Sequence, residues 1–532
     1  ARVTRGGGSG PFGAGALAGT IELTSADGDT LGPASGSALT GSRGESELAA
    51  SIAPRLGEGF AVISARWDRG RGFFTTPPEQ RVPASVRARY ESWSVQLRGA
   101  VALSADTELQ ARMLAWRDER TLRFAGADSL SEGQDASLRA IGRGRWAWEA
   151  LAYVQARDFA NVVVSAARFT PTLDQRATPS TGIGGKLELR PPVGGGHVLR
   201  VGADFRRASG RLFEEALSAS GAVTERRSAG GINANFGLFV EDDWTRGGLT
   251  LTAGLRADRF TIRDGFFTAW SPAGAVTSAA RYPSRSGWEG SARGGALLRL
   301  GGGLAVRAAG YTGLRLPTLN ELYRPFVVFP VTTQANPALG SERLVGFEAG
   351  LDLRRGESLA LALTAFDNRV ENAIANVTLG PNLRQRRNVD AVRSRGIEAS
   401  ARAVLGAWRL EGSLALTDAA VRAGGSALDG KRPAQTPVAS ASATLGWQPR
   451  DRWQAWLTLR HTGAQFEDDR ETDRLPPATT LDAYLAAPLT GQLALVLRAE
   501  NLTGARIVTR NQGGSLDLGA PRTLWAGVRL GG

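Results

Sequence analysis

Arginine and aromatic side chains are concentrated in two stretches of this chain, and residues of these types could together bind an anionic ligand. The six candidates are Tyr323, Arg324, Phe326, Arg384, Arg386 and Arg387. The first three belong to an apolar and aromatic segment, 314–340, and the arginine cluster falls in and just after the segment 372–386. Clustered guanidinium groups attract anions, and exposed apolar segments often mark a ligand or partner surface. The sequence therefore predicts a binding surface made by these six residues.

Residues that usually perform covalent or metal chemistry are scarce. Cysteine is absent, so there is neither a disulfide framework nor a thiolate metal site. The only histidines are His197 and His461, and no Gly-x-Ser-x-Gly motif occurs, so a histidine-based triad or a zinc site is poorly supported. The acidic run Glu467–Asp469 has the oxygen ligands that Ca²⁺ prefers, but it is a weak signal alone. We predict no enzymatic activity, no cofactor and no resident metal.

The charge of the chain is strongly basic and almost entirely due to arginine. The net charge is +13, from 64 basic and 51 acidic residues, and only Lys186 and Lys431 are lysines. A genome that favours arginine codons would explain this bias. Codon bias is the favoured explanation; the alternative is that arginines face lipopolysaccharide phosphates or an anionic ligand, which the guanidinium fork binds through two bonds. Nucleic acid is not an expected partner, since the arginines are spread along the chain and form no single stripe.

The connections between predicted strands alternate between short and long. About twenty-two strand-like segments occupy 35–530, joined by tight turns such as Arg246–Gly247 and by long connections such as 211–228 and 372–386. Short turns at one rim and long loops at the other are typical of an outer-membrane β-barrel. No apolar run approaches the roughly 18–20 residues of a transmembrane helix, and hydrocarbon tolerates no unpaired backbone. We therefore predict an all-β protein, a transmembrane antiparallel β-barrel of about 22 strands.

The side-chain pattern supports this prediction. In one segment Leu457 and Leu459 alternate with Thr458 and Arg460, as expected for strands that face lipid on one side and a wet lumen on the other. Several tryptophans lie close to the tight turns: Trp146, Trp148, Trp244, Trp408, Trp447 and Trp453. Aromatic residues collect at membrane interfaces, so these would form a periplasmic girdle. A soluble β-protein with tryptophan in its core is the alternative.

Five stretches carry recognisable motifs in a fixed order along the chain. They are 9–24, ending in Gly-Thr-Ile-Glu-Leu-Thr; Leu314–Tyr323; Asn336–Gly350, with Asn-Pro-Ala-Leu and Glu-Ala-Gly; Asn388–Glu398, ending in Gly-Ile-Glu; and Glu500–Leu502 with Pro521–Thr523. Together they resemble the motifs of TonB-dependent outer-membrane receptors. The first looks like the last strand of that family's N-terminal plug domain, and the others look like boxes of its barrel.

The resemblance implies a domain division and a function. Residues 1–27 are expected to be the C-terminal end of a plug domain, and 28–532 the transmembrane barrel. The implied function is TonB-dependent, energy-coupled uptake of a scarce ligand across the cell outer membrane, most simply a ferric siderophore or a similar chelate. The TonB complex would act through an N-terminal part missing from this sequence. A passive pore or adhesion barrel without TonB coupling is the alternative.

The ligand assignment leaves other interpretations open. Haem receptors of this family carry a histidine between the two central boxes, and 318–335 contains none. Leu314–Tyr323 could simply brace the barrel rim. Arg384, Arg386 and Arg387 could instead form a solvated charge run or contact lipopolysaccharide.

Overall fold

Strands make up most of the protein. A computed structural model describes residues 2–5, 13, 15, 17, 19–328, 331–449 and 452–531. Within this part of the chain the helical elements are short: α1, Gly28–Leu31; α2, Leu319–Tyr323; and a 3₁₀ turn, Pro78–Gln80. None of these described helices has the length and hydropathy needed to cross a membrane.

In the described residues, 22 antiparallel strands close a single barrel. They are β1 Ala34–Gly41, β2 Ser46–Ile52, β3 Gly59–Gly70, β4 Tyr90–Ser104, β5 Thr107–Thr121, β6 Asp128–Gly142, β7 Ala147–Val164, β8 Ser180–Arg190, β9 His197–Leu217, β10 Val223–Arg246, β11 Leu249–Trp270, β12 Arg285–Gly301, β13 Leu304–Arg315, β14 Glu342–Arg355, β15 Leu359–Gly380, β16 Leu383–Leu405, β17 Trp408–Arg422, β18 Ala439–Trp447, β19 Gln454–Thr462, β20 Ala478–Pro488, β21 Leu493–Glu500 and β22 Thr523–Leu530. The predicted fold class and strand number are confirmed.

Closure occurs between the first and last strands. β1 pairs with β22 from Gly36 opposite Leu530 to Gly41 opposite Trp525, and β22 pairs on its other edge with β21. Every strand of the ring therefore has two partners, so no backbone edge is left for hydrocarbon to cover.

Shorter strands pair with the barrel sheet or form separate two-stranded sheets. They are Arg2–Arg5, Gly19–Glu22, Arg55–Leu56, Pro171–Ala177, Val276–Arg281, Phe326–Val328, Val331–Gln334, Gln465–Phe466, Arg474–Leu475, Val508–Gln512 and Ser515–Leu518. Most belong to connections at the rim opposite the short turns.

Two predicted long loops are wrong. The ladder between β9 and β10 continues to Leu217 opposite Val223, and that between β15 and β16 continues to Gly380 opposite Leu383. The segments 211–228 and 372–386 are therefore mostly strand. Outside the hydrocarbon both faces of a strand can meet water, so the pairs persist without the apolar parity that reveals a strand in sequence.

Side-chain alternation on the wall separates an outer apolar face from an inner face. Leu495 and Leu497 are 36% and 42% exposed, whereas Val496 between them is 3% exposed. Val496 packs in an inner cluster that includes Trp525 and Leu39. The leucines of β21 therefore lie on the side that would face lipid, as the alternation predicts.

Tryptophans form a continuous group at the short-turn rim. The ring centroids of Trp408 and Trp447 lie 6.4 Å apart, and those of Trp447 and Trp453 lie 6.5 Å apart. Trp408 is half exposed. This arrangement matches the interfacial tryptophan girdle that was predicted from the positions of these residues beside tight turns.

The predicted plug segment, 1–27, is described only in part. Arg2–Arg5 and Gly19–Glu22 pair with each other in a separate two-stranded sheet. The backbone nitrogen of Gly15 donates to the carbonyl oxygen of Leu314 at 2.8 Å, and Arg98 donates to the carbonyl oxygen of Ala26. Much of the 9–24 motif lies outside the described residues, and the division into 1–27 and 28–532 stays a prediction.

The face assignment can be tested with a matched pair of substitutions. Leu497 and Thr458 are each the fifth residue of their strand counted from the short-turn rim. Leu497→Arg would place a charge in hydrocarbon and should destabilise the barrel by about 2–4 kcal/mol. Thr458 faces the other way, where its hydroxyl contacts that of Thr444 at 3.0 Å. Thr458→Arg should therefore cost much less in a reversible folding assay in lipid, and equal costs would contradict the assignment.

Candidate functional site

The segment between β13 and β14 begins with a well-capped helix. Thr318 is the N-cap of α2: its hydroxyl accepts from the backbone nitrogen of Glu321 at 3.2 Å. The Glu321 carboxylate accepts in return from the backbone nitrogen of Thr318 at 2.7 Å. This reciprocal capping box satisfies two backbone donors of the first turn. Pro325 follows α2 and disfavours its continuation.

α2 packs against the wall of the barrel through Leu322 and Tyr323. These side chains are 0% and 2% exposed and join a cluster with Leu212, Ala229 and Ile262. The apolar contacts hold the connection against β9–β11 and remove it from free solvent.

Glycines on β10 and β11 make room for the Tyr323 ring. A Cβ atom at Gly265 would lie 2.3 Å from that ring, and one at Gly231 would lie 3.1 Å from it. Tyr323 also stacks on Tyr282 with ring centroids 5.0 Å apart and planes 13° apart. Tyr323 was predicted to contact a ligand. In the structure its side chain is buried and anchors α2 to the barrel wall.

An ion-pair network fixes the start of α2. Arg315, the last residue of β13, binds Glu321 at 3.1 Å and also pairs with Glu342 at the start of β14. Burial alone would raise the pKa of Glu321, but hydrogen bonds from Arg315 and Thr318 outweigh it and lower that pKa. Glu321 is therefore held in its charged form.

Arg324 and Arg386 are engaged inside the structure. Arg324 donates to Glu214 at 2.7 Å and to Gln175 at 2.6 Å. Arg386 is 7% exposed and donates to the carbonyl oxygens of Asn320 at 2.5 Å and Arg324 at 3.1 Å. Burial lowers the pKa of Arg386. Both arginines tie the α2 connection to its surroundings.

Phe326 completes this clamp. The guanidinium carbon of Arg386 lies 4.9 Å from the centroid of the Phe326 ring, a cation–π contact. The backbone adds a parallel pairing of Thr332–Gln334 with Leu383–Gln385 on β16. Asn336 donates to the carbonyl oxygen of Arg386 at 3.0 Å. The two stretches singled out in the sequence thus meet, although 372–386 is strand and not loop.

Arg384 and Arg387 differ from Arg386 in their surroundings. Arg387 is exposed and donates to Gln385 at 2.8 Å. Arg384 is half-buried and lies near Glu467; burial raises the pKa of that carboxyl, and the positive charge of Arg384 opposes the rise. Neither arginine has a carboxylate within ion-pair distance among the described residues. Both can therefore accept an anion at the long-loop rim.

An open cavity lies beside α2. It has a volume of about 500 Å³, and its mainly apolar lining includes Phe159, Leu212 and Leu319, with Asn320 and Arg324 as polar groups. Sequence reasoning missed Phe159, because it comes from β7, more than a hundred residues before α2, and carries no motif. A cavity of this size and composition can hold a flat apolar group with polar substituents.

The acidic run acts as a brace for its own loop. Asp468 is buried and accepts from the backbone nitrogens of Thr472 and Asp473, each at 2.9 Å. Asp469 accepts from the hydroxyl of Thr378 on β15 at 3.0 Å. Within the described ranges, no group of three or more histidine, cysteine, aspartate or glutamate residues could hold a metal ion.

Known proteins share this architecture. The family described as "TonB dependent receptor-like, beta-barrel" matches residues 53–502. An iron-regulated outer membrane virulence protein of Vibrio cholerae is 27% identical over 216 residues, which cover 37% of this chain and 33% of that protein. The match thus spans about a third of the length of this curated relative.

Solved structures agree over nearly the whole chain. The ferric yersiniabactin uptake receptor FyuA from Yersinia pestis has a TM-score of 0.79 at 12% identity, covering 99% of this chain and 84% of that one. The FrpB iron transporter from Neisseria meningitidis (F3-3 variant) has a TM-score of 0.76 at 15% identity, covering 99% and 86%. These likenesses show the fold.

The family match extends over most of the barrel, and the closed ring of 22 strands accounts for it physically. The chain is an outer-membrane protein, and it belongs to the TonB-dependent receptor-like β-barrel family.

Proposed function

We propose that the protein is a TonB-dependent transporter for a scarce metal chelate, with a ferric siderophore as the first candidate. Membership of the receptor family supports energy-coupled uptake. The observation that carries the ligand proposal is the cavity beside α2, which lies at the same rim as Arg384 and Arg387. Among the described residues these two arginines have no carboxylate within ion-pair distance. A wide passive pore has no need for a connection packed so closely against its wall.

The six predicted residues would divide the work. Arg384 and Arg387 would attract the negative charge of a ferric chelate, because guanidinium groups that form no close ion pair concentrate anions near them. The cavity beside α2 would accept an apolar or aromatic part of the chelate. Tyr323, Arg324 and Arg386, with Phe326, would hold this surface in place.

Transport would require an energy source as well as a binding surface. We propose that the TonB complex acts on a plug inside the barrel, to which residues 1–27 would contribute. Binding at the rim would then precede a change in the plug that opens a path through the lumen.

Uptake in cells tests the function directly. Cells that produce the full-length receptor should take up the radiolabelled cognate ferric chelate when TonB is present, and a TonB deletion should abolish this uptake. A deletion strain that still binds chelate at its surface would separate capture from transport. Uptake that persists without TonB would contradict the proposal and favour a passive pore.

Substitution of Arg384 and Arg387 tests ligand capture directly. The double substitution Arg384→Ser with Arg387→Ser should weaken chelate binding about three- to tenfold, because each exposed charge contributes modestly. Wild-type binding should weaken as salt rises, since charges are screened over about 10 Å at 0.1 M, and the variant should lose part of this dependence.

The control is Arg393→Ser, which removes an arginine from the same strand that pairs with Asp367. Isothermal titration with the full-length receptor measures the affinity, and heat-modifiable gel mobility monitors assembly. An unchanged affinity and salt slope in the double variant would assign Arg384 and Arg387 to a solvated surface.

Acid should loosen the α2 clamp through Glu321. Its pKa is lower in the folded protein than in an unfolded chain, so its stabilising contribution is fully present above about pH 4.3 and is lost as pH falls through the folded value. Hydrogen–deuterium exchange of the 319–324 amides, corrected for intrinsic rates, should therefore show protection falling below about pH 4.

Glu321→Gln should reduce that protection already at neutral pH and flatten its pH dependence. Glu357→Gln, at the short turn between β14 and β15, is the matched control and should behave as wild type. Equal pH profiles in wild type and Glu321→Gln would rule out this carboxylate as the acid-sensitive group.

A further inference from the structure

The outward face of β9–β12 carries a row of aromatic residues. Strand register places Phe205 opposite Phe236, Phe236 opposite Arg259, and Arg259 opposite Trp288. Phe205, Phe236 and Trp288 are 39%, 41% and 59% exposed. Arg259 follows Leu249, the first residue of β11, by ten positions. A tilted strand climbs about 25 Å over this distance, which is roughly the height of the apolar band.

A groove lies directly below this row. Its volume is about 740 Å³. Its lining is mainly apolar and includes Val201, Leu238, Val240, Leu255, Ala257 and Ala292. A Cβ atom at Gly290, which also lines it, would meet no atom within 4 Å. Small residues on β12 thus leave a depression among larger side chains on the face that would meet lipid. A depression of this kind fits a hydrocarbon chain.

Three outward arginines lie at the groove or along its aromatic row. None of Arg207, Arg259 and Arg343 has a carboxylate within 4.0 Å in the described part of the chain. Arg259 donates to the hydroxyl of Ser286 at 3.2 Å and lies over the Trp288 ring at 5.9 Å. Arg343 lines the groove itself.

The outward arginines of the neighbouring face are different. On β15–β17, Arg395 pairs with Asp418 at 3.0 Å, and Arg369 lies 3.5 Å from Glu371. Arg393 pairs with Asp367. Their charges are therefore compensated within the protein. Of these two faces, the one with the groove presents arginines without a carboxylate partner among the described residues, next to an apolar depression.

We propose that this face binds an outer-leaflet lipid that carries both acyl chains and phosphate groups, the chemistry of lipopolysaccharide. One acyl chain lies in the groove over Gly290. The phosphates lie against Arg259 and Arg343, with Arg207 at the edge, because guanidinium groups bind phosphate oxygens through paired, charge-assisted hydrogen bonds. The aromatic row sits between chain and headgroup, where ring systems are favourable. This site is independent of the proposed transport function.

The experiment uses the protein in detergent micelles, with bisphosphorylated, hexa-acylated lipid A as the probe. Native mass spectrometry measures the bound fraction over a lipid titration. Arg259→Ser with Arg343→Ser should weaken binding about tenfold, as expected when charged hydrogen bonds are lost. The same double variant should bind dephosphorylated lipid A as wild type does. Gly290→Leu fills the groove and should weaken binding of both lipids.

Two controls separate this site from general lipid adhesion. Arg393→Ser with Arg395→Ser removes the compensated arginines, and Ala443→Leu adds bulk to the outward face of β18; both should leave binding unchanged. Inorganic phosphate should not displace the lipid at equal concentration. The proposal is overturned if the double arginine variant binds lipid A normally, or if the control face loses binding equally. If Gly290→Leu does not assemble, the arginine comparison decides the question alone.

Discussion

The absence of hydrogen-bonding solvent inside a bilayer is the constraint on which this structure depends. Every backbone N–H and C=O group within hydrocarbon must find a partner in the protein. A sheet meets this demand only when its last strand returns to its first, and here β22 pairs with β1 over Gly36–Gly41. Closure then fixes the alternation of side chains, because each residue must face either lipid or lumen. The positions of the loops, the tryptophans at the short-turn rim and the candidate sites all follow from closure.

Closure also creates an interior that polar groups must fill. Arg256 on β11 is buried and binds Asp204 on β9 at 2.5 Å and Asp258 at 2.6 Å. Asn235 on β10 donates to Asp258 at 2.8 Å. Such networks add little net stability, yet removing one partner would leave a buried charge unpaired and cost about 3–5 kcal/mol. The ion pairs and the Asn235 hydrogen bond therefore link β9, β10 and β11, the strands against which α2 packs.

The alternation of short and long connections was enough to predict the barrel and its strand number, and the two-residue repeat that the membrane imposes on side chains predicted the outward leucines. Strand prediction was wrong beyond the membrane, where 211–228 and 372–386 were expected to be loops and are mostly strand. Arg386 and Arg387 are neighbours in the run Arg384–Asn388, which is polar at every position, so no alternation showed that the strand extends through it. Yet alternation on β16 sends Arg386 to the α2 connection and leaves Arg387 exposed. The burial of Tyr323 could not be predicted from the sequence either. Its ring fits because Gly231 and Gly265 have no side chains, and neither glycine belongs to a motif.

This difference between wall and rim has a consequence for specificity. The outer wall contacts a single solvent, hydrocarbon. Solved structures that are only 12–19% identical to this chain can therefore share its barrel. In the proposed transport function the rim would contact the ligand, and the geometry of the rim depends on contacts between segments far apart in sequence, such as Arg324 with Gln175 and Glu214. A substitution in any of these segments can reshape the cavity beside α2 without disturbing closure. If the rim binds the ligand as proposed, ligand choice can change there while the barrel stays the same.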